Sequence, residues 1–306
     1  MFCIAERHHR LFVLLLLLTP VVAAADHGSG AAREVPDEYK TDVVCLESAA
    51  AKLESPEIAV LNFNMAHGRG TSMNQMLVGR KGIAANLDRI AAFLREADAD
   101  VVALQEADAA SRWSGKFDHV GYVNEQLGYA CSIHGIHASG VMFNFGTALL
   151  SPVSMYDGVS YSFEPTPPTT TKGFVSTSLD WSDGPGARHQ TVFLVSVHLD
   201  FSRKKVRAAQ LDDLVAAIRE SEYPVILMGD FNSEWKEGSV VKALVNDAGL
   251  VAYEPESQDL PTYKDKRLDW ILISEELAFS EYTVLPEEIS DHRAILARIV
   301  WRDTEQ

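Results

Sequence analysis

Basic residues are in short supply in this chain: 27 Lys and Arg stand against 43 Asp and Glu in 306 residues, a formal net charge of −16. A protein that gains its affinity by neutralising nucleic-acid phosphates needs a Lys/Arg surface, so the balance disfavours that mode and leaves room only for a local basic cleft. The one basic cluster, Arg203, Lys204, Lys205 and Arg207, reads as the solvated start of a helix rather than as a groove for DNA. Cysteine is scarcer still, three in all, and no Cys-x-x-Cys pair or His-rich run offers the donors of a zinc site. Internal repeats, coiled-coil heptads and low-complexity tracts are absent, so nothing splits the chain into an array.

What is present begins with an address. Arg7, His8, His9 and Arg10 precede a nearly unbroken apolar run from Leu11 to Val22, and Ala23, Ala24 and Ala25 follow before Asp26. A basic start, a short apolar core and small residues make a secretory signal peptide cleaved after Ala25. The run is short and Pro-interrupted for a membrane span, which leaves an uncleaved anchor as the alternative. The expected location is the periplasm or the medium. The organisation expected is a signal peptide at 1–25, a leader at 26–56 that packs late or poorly, and one large domain at 57–302. The leader carries an Ala-rich, helix-like piece from Leu46 to Leu53. Cys45 and Cys131 would then meet an oxidising compartment, where a disulfide can form, but spacing alone does not decide whether they pair.

Within the large domain, short apolar runs keep ending in polar residues. Val225 to Met228, preceded by Pro224, is too short for a helix and reads as a buried strand; Gly229 ends it, and Asp230 and Asn232 follow two apart. Ile58 to Phe63 runs into Asn64 and a Gly-rich turn, Ala99 to Leu104 into Gln105 and Glu106, and Val192 to Val197 into His198. Arg267 to Ile273 reads as a strand carrying Asp269 near its start, and Ser290-Asp291-His292 stands before a strand from Ala294 to Val300. Leu87, Ile90, Ala91 and Leu94 mark one amphipathic helix, and Val206, Ala209, Leu214, Val215 and Ile218 a second. Strand, helix, strand with short links is a crossover that places Ile58 and Val101 in one sheet.

Several carboxylates gathered at strand ends repel one another unless a cation joins them. Oxygen donors from Asn64, Glu106 and Asp291 suit Mg²⁺ or Mn²⁺ better than Zn²⁺, and such ions complete their shell with waters and phosphate. His292 beside Asp291 could be oriented by Asp269, with Asp230 a second carboxylate at the same rim. The bland reading of each residue is a turn cap or a satisfied core histidine; it is their number and order that favour phosphoryl chemistry.

The ordered set N-F-N-M at 62–65, L-Q-E at 104–106, V-H-L at 197–199, G-D-F-N at 229–232, R-L-D-W-I at 267–271 and S-D-H at 290–292 resembles the endonuclease/exonuclease/phosphatase superfamily. The resemblance implies an α/β fold, a four-layer sandwich of two packed mixed β-sheets flanked by helices. It implies metal-site roles for Asn64, Glu106 and Asp291, and a divalent cofactor, Mg²⁺ or Mn²⁺. It also implies that Asp230 orients or deprotonates the attacking water, that Asn232 and His198 stabilise phosphoryl oxygens, and that Asp269 and His292 act as a pair. Whether Asp230 or His292 is the base stays open. Ala66 departs from the polar residue that several relatives carry, which puts a second metal in doubt. The G-R-G turn at 68–70 and the stretch Arg112 to Phe117 look most like exported bacterial members and sphingomyelinase-like branches. The expected function is a secreted phosphodiesterase on a lipid or small-molecule phosphodiester, with peripheral membrane contact and a monomeric state. A secreted nuclease is the enzymatic alternative, and a non-catalytic binding protein the alternative of another class.

Overall fold

The computed structural model of the protein describes residues 39–184 and 189–302. The expected signal peptide lies outside the described residues. In chain order the elements are β1 Val44–Cys45, β2 Leu53–Glu54, β3 Ile58–Asn64, α1 Arg80–Ala97, β4 Val101–Asp108, α2 His119–Leu127, β5 Cys131–Ser139, β6 Asn144–Ser151, β7 Met155–Ser162, β8 Gly173–Ser182, β9 His189–His198, α3 Lys204–Arg219, β10 Val225–Asp230, α4 Val240–Ala248, β11 Leu250–Ala252, β12 Asp269–Ser274, β13 Leu277–Val284 and β14 Ile295–Trp301.

One sheet runs β1-β5-β6-β4-β3-β14-β13; the other runs β11-β12-β10-β9-β8-β2, with β7 also paired to β8. Both are mixed: β3 and β4 are parallel, as are β9 and β10, among antiparallel neighbours. Side chains alternate along a strand, so each strand buries two faces in two different cores. On β10, Ile226 and Met228 meet Val60 and Ala103 of the other sheet, while Val225 and Leu227 turn outward to Leu214 of α3 and Val241 of α4. The outer face of the first sheet is covered in the same way: Leu61, Phe63, Val102 and Leu104 pack on Ile83 and Leu87 of α1 and Val120 of α2. The result is helix, sheet, sheet, helix, the four layers expected. Truncating a buried anchor such as Leu87 to Ala would cost about 2–5 kcal/mol.

Near one end the apolar interface between the sheets gives way to hydrogen bonds. Gln105 Nε2 donates to Asn62 Oδ1 at 2.9 Å and to Ser196 Oγ at 3.1 Å, and Ser196 Oγ donates to the Leu104 carbonyl at 3.2 Å. These buried bonds fix how the strand ends of the two sheets face each other. Gly229 is required here because a Cβ would lie 2.2 Å from the Val197 carbonyl oxygen.

The segment before β3 is better anchored than its composition suggests. From residue 39 it is tied down by β1 on β5, by β2 on β8 and by a disulfide between Cys45 and Cys131 with an S–S distance of 2.08 Å. Residues 46–52 form turns and bends rather than the expected helix, because the flanking residues are held extended by the two sheets and Ala50 bridges to Val153. Among the described residues no helix is long and apolar enough to cross a membrane.

Candidate active site

Register assembles the first part of the site. His198 on β9 stands directly opposite Asp230 on β10, and Asp230 stands directly opposite Asp269 on β12. Three chemically active residues thus form a row across adjacent strands, which the roughly 5 Å spacing of strands brings into contact. His198 Nε2 lies 3.4 Å from Asp230 Oδ2. Asn64, from the end of β3 in the other sheet, donates its Nδ2 hydrogen to the same oxygen at 3.1 Å. The Asn232 backbone N–H donates to Asp230 Oδ1 at 2.9 Å, a local turn that requires Asn232 at φ +49°.

His292 enters from the loop before β14. Its Nδ1 is 2.8 Å from Asp269 Oδ2, and its Nε2 is 3.9 Å from Asp230 Oδ2. Thr262 Oγ1 donates to Asp269 Oδ2 at 2.6 Å and accepts the Leu268 and Asp269 backbone N–H groups at 3.1 Å, so Asp269 is held from two sides. Burial opposes charge on His292, but Asp269 and Asp230 outweigh it and push its pKa up to about 10. Burial pushes the Asp230 carboxyl well above the usual range, with the nearby Asp269 carboxylate adding to it. Burial, then the Lys172 charge, holds His198 neutral. Lys172 Nζ is 3.3 Å from His198 Nδ1; with Nζ as donor, the ring hydrogen sits on Nε2 and points at Asp230.

The second part of the site is built from Glu106, Asp291 and the turn after β3. Glu106 adopts φ +49° where the register of β4 against β6 shifts, which turns its side chain out of the ladder. Its Oε2 lies 3.2 Å from His67 Nε2 and 3.5 Å from Arg69 Nη1. Arg69 Nη2 donates to Asp291 Oδ2. Burial opposes ionisation of Glu106, yet the positive charge around it, that of Lys172 and Arg69 included, holds its pKa far below the usual carboxylate range. Ser290 Oγ donates to the Asn64 carbonyl at 2.8 Å and so fastens the Asp291 loop to β3.

Glu106, His198, Asp230, Asn232, Asp291 and His292 all line one cavity of about 660 Å³. Asn64 and Asp269, both buried, stand behind that wall and act on it through Asp230 and His292. All eight expected residues therefore belong to one constellation. Glu106 and Asp291 meet the same Arg69 guanidinium through different nitrogens, and two carboxylates facing one cationic group are the donor type that suits a hard divalent ion. Asn64 Oδ1 accepts the Ala66 N–H at 3.0 Å and keeps a second lone pair. Asp230, Asp269 and His292 also bring one ligand atom each to within 4.8 Å of one another, a second grouping that could hold an ion.

Four contributors carry no sequence signal of their own: His67, Arg69, Lys172 and Thr262. Lys172 follows a Pro- and Thr-rich stretch at 165–171, yet it is buried, and Gly173 next to it pairs with His198. The cluster beginning at Arg203 does start a helix, but Lys204 and Arg207 line the cavity rather than face open solvent alone.

A model of the Endonuclease/Exonuclease/phosphatase family matches residues 61–292, a span that contains every residue named above as expected. Among solved structures, an endonuclease/exonuclease/phosphatase family protein from Leptotrichia buccalis is 19% identical, covers 80% of this chain and 100% of its own, and superposes with a TM-score of 0.62. The human Nocturnin catalytic domain with bound sulfate is 17% identical over 85% of this chain and 97% of its own, with a TM-score of 0.58. A mannosyl-6-phosphatase from Bacteroides thetaiotaomicron is 16% identical over 80% of this chain and 100% of its own, with a TM-score of 0.56. No curated protein matches the sequence. At these identities the structural likeness speaks for the fold.

Proposed function

The chain belongs to the endonuclease/exonuclease/phosphatase family, and from that premise we propose that it is an exported, monomeric, divalent-metal-dependent phosphodiesterase acting on a lipid or small-molecule phosphodiester. The observation that carries the reading is the row His198, Asp230, Asp269, completed by His292 and opposed across one cavity by Glu106 and Asp291.

The chemistry assigned to these residues is an in-line attack of water on phosphorus. A divalent ion held by Glu106, Asp291 and Asn64 would supply charge neutralisation at the phosphoryl oxygens. Asp230 is the base: its raised pKa suits it to take the proton from water as the new P–O bond forms. His292 is unsuited to that task because Asp269 and Asp230 keep it protonated, which makes it a hydrogen-bond donor to the phosphoryl group. His198 Nε2–H and the Asn232 amide, which uses one hydrogen on the Leu199 carbonyl at 3.1 Å, complete the donor set. The ester P–O bond breaks opposite the entering water, and the leaving oxygen is protonated from solvent.

Support for a lipid comes from the rim. Met73, Met76, Leu77, Val141 and Met142 are exposed large apolar residues, with Met73 96% exposed. Arg80, Arg112 and Lys116 are exposed on neighbouring segments, and Arg80 Nη1 donates to the Gly115 carbonyl. Trp113 joins this rim to the site: its N–H donates to the Met142 carbonyl at 3.1 Å and its ring centroid is 5.0 Å from that of His67. Apolar tips flanked by cations match an anionic bilayer surface. The nuclease alternative draws on Lys204, Arg207, Lys236 and Lys266 in the cavity wall, but Glu234 and Glu237 line it too, and Lys236 Nζ is 2.7 Å from Glu234. That wall is close to neutral, a poor track for a polyanion.

The test is turnover on sphingomyelin and inositol-phospholipid vesicles, bis-para-nitrophenyl phosphate and plasmid DNA, each with Mg²⁺, Mn²⁺ and EDTA. Faster cleavage of DNA than of every lipid would move the assignment to the nuclease; no turnover of any substrate would move it to a binding protein. Export is tested separately by N-terminal sequencing, which should begin at or near Asp26.

A further inference from the structure

We propose that His67, oriented by Asp108, is a nitrogen ligand to the divalent ion held by Glu106. The inference deepens the metal site of the function proposed above and rests on it only for the presence of an ion.

Two successive residues other than glycine, Ala66 and His67, adopt left-handed backbone at φ +47° and +55°. Such conformations cost on the order of 1 kcal/mol each and persist where the surroundings over-determine them. Here they aim one ring. His67 is buried, and its plane is walled by Trp113 and Phe145 at centroid distances of 5.0 and 4.7 Å. Its Nδ1 faces Asp108 Oδ2 at 3.2 Å and its Nε2 faces Glu106 Oε2 at 3.2 Å.

Hydrogen-bond accounting then assigns the tautomer. Asp108 is wholly buried; Oδ1 accepts from Ser111 Oγ at 2.8 Å and Trp113 Nε1 at 3.2 Å, while Oδ2 has no aligned partner. His119 approaches Oδ2 at 3.9 Å through Nδ1, but its Nε2 already meets the Ser114 carbonyl at 2.9 Å, so in the neutral ring Nδ1 is an acceptor. Burial of His119 favours that neutral form. The nearest remaining donor for Asp108 Oδ2 is His67 Nδ1, 3.2 Å away; neither atom has an aligned hydrogen bond to any other group, and the ring hydrogen is placed there on that proximity. That leaves a lone pair on His67 Nε2 facing a carboxylate oxygen. Two acceptors at 3.2 Å repel unless a cation lies between them.

The distance suits such a cation. Two bonds of about 2.1 Å meeting at a right angle place their ligand atoms about 3 Å apart. A histidine that donates from one nitrogen to a buried carboxylate and presents the other to a metal is a recurrent arrangement, and the carboxylate fixes the ring. Arg69 Nη1, 3.5 Å from the same Glu106 oxygen, would give up that contact while keeping its bond from Nε to the Ser72 carbonyl. An imidazole donor moves the site's preference from Mg²⁺ towards Mn²⁺ and later first-row ions. The rival arrangement is a doubly protonated His67 that merely bridges Glu106 and Asp108.

Pulsed EPR of the Mn²⁺-loaded full chain, together with Mn²⁺ and Mg²⁺ titrations, separates the two. Wild type should show directly coordinated ¹⁴N coupling. His67→Ala should lose that coupling and bind Mn²⁺ about 10–100-fold more weakly, with a much smaller change for Mg²⁺. Asp108→Asn should keep the coupling and weaken Mn²⁺ binding. His67→Asn, whose side chain tolerates left-handed backbone, replaces the alanine variant if that does not fold. Absence of nitrogen coupling in wild type, its persistence in the His67 variants, or equal weakening of both ions would overturn the proposal. None of these readouts needs a substrate, so a failed substrate panel leaves them intact.

Discussion

At one end of the cavity Asp230 and Asp269 are matched across neighbouring strands and share His292, whereas at the other Glu106, at the register shift in β4, and Asp291, in the loop before β14, meet on Arg69. The first pair is neutralised by a short, buried ring that Thr262 and Asp269 clamp in place. The second is neutralised by a long side chain whose head can leave. Two ways of living with crowded carboxylates sit side by side. A reaction that needs a fixed proton acceptor and an exchangeable ion needs both.

The comparison breaks most visibly at Asp230. Asp230→Asn should lower kcat by about 10³–10⁴-fold, as for removal of a positioned base, with the fold intact. Its effect on stability should have the opposite sign. A carboxyl whose folded pKa is raised binds its proton more tightly in the folded state, so wild-type stability falls as pH rises from the unfolded value through the folded one. In EDTA, the variant should therefore gain on wild type as pH rises and equal it in acid; urea midpoints that shift the other way would contradict the buried-carboxyl account.

Next comes the metal end. Glu106→Gln preserves shape and removes charge, so activity should fall by about 10²–10³-fold while thermal unfolding stays cooperative. Full activity of this variant, or of wild type in excess EDTA, would contradict an ion at Glu106.

The histidine pair gives a smaller and more diagnostic effect. His292→Ala should cost about 10²-fold, and the double variant with Asp269→Asn about the same, because Asp269 acts through the ring it orients. Asp269→Asn alone should cost less and should lower the alkaline limb of the pH–rate profile by weakening the charged ring. Strictly multiplicative losses in the cycle would separate Asp269 from the site.

The smallest effect sharpens the contrast between the ends. Arg69→Met should destabilise the ion-free protein by about 1 kcal/mol, and saturating Mn²⁺ should restore it, since the ion supplies the missing positive charge. Asp269→Asn should show no such rescue. Equal rescue of both variants would mean that the two ends do not differ in this way.

Much of this was legible in the chain before folding. The strand runs ending at Asn64, His198 and Asp230 are where the structure has them, and α1 and α3 follow their apolar periodicity; Glu106, expected at a strand end, sits instead at a register shift inside β4, which continues to Asp108. Shorter elements were not: α2 and α4 have 9 residues each, too few for a periodic pattern to stand out, and β13 carries its polar residues on an exposed edge. The turn at 66–69 reads only as Gly-rich. Its two left-handed residues and the aim of His67 depend on walls supplied by Trp113 and Phe145, far along the chain.

The sequence by itself determined which residues would stand at strand ends, because buried strands are apolar and a polar residue can appear only where the strand meets water. It determined in this way eight of the oxygen and nitrogen groups of the site, but not His67, Arg69, Lys172 or Thr262. Tertiary structure alone decided their partners. Register across β9, β10 and β12 put His198 and Asp269 on either side of Asp230; sheet packing brought Asn64 to the same carboxylate; and pairing of Gly173 with His198 buried Lys172 beside it. The charge each group carries follows from those neighbours. Burial and a few ångströms of separation, which no local pattern encodes, raise the pKa of one aspartate and of one histidine.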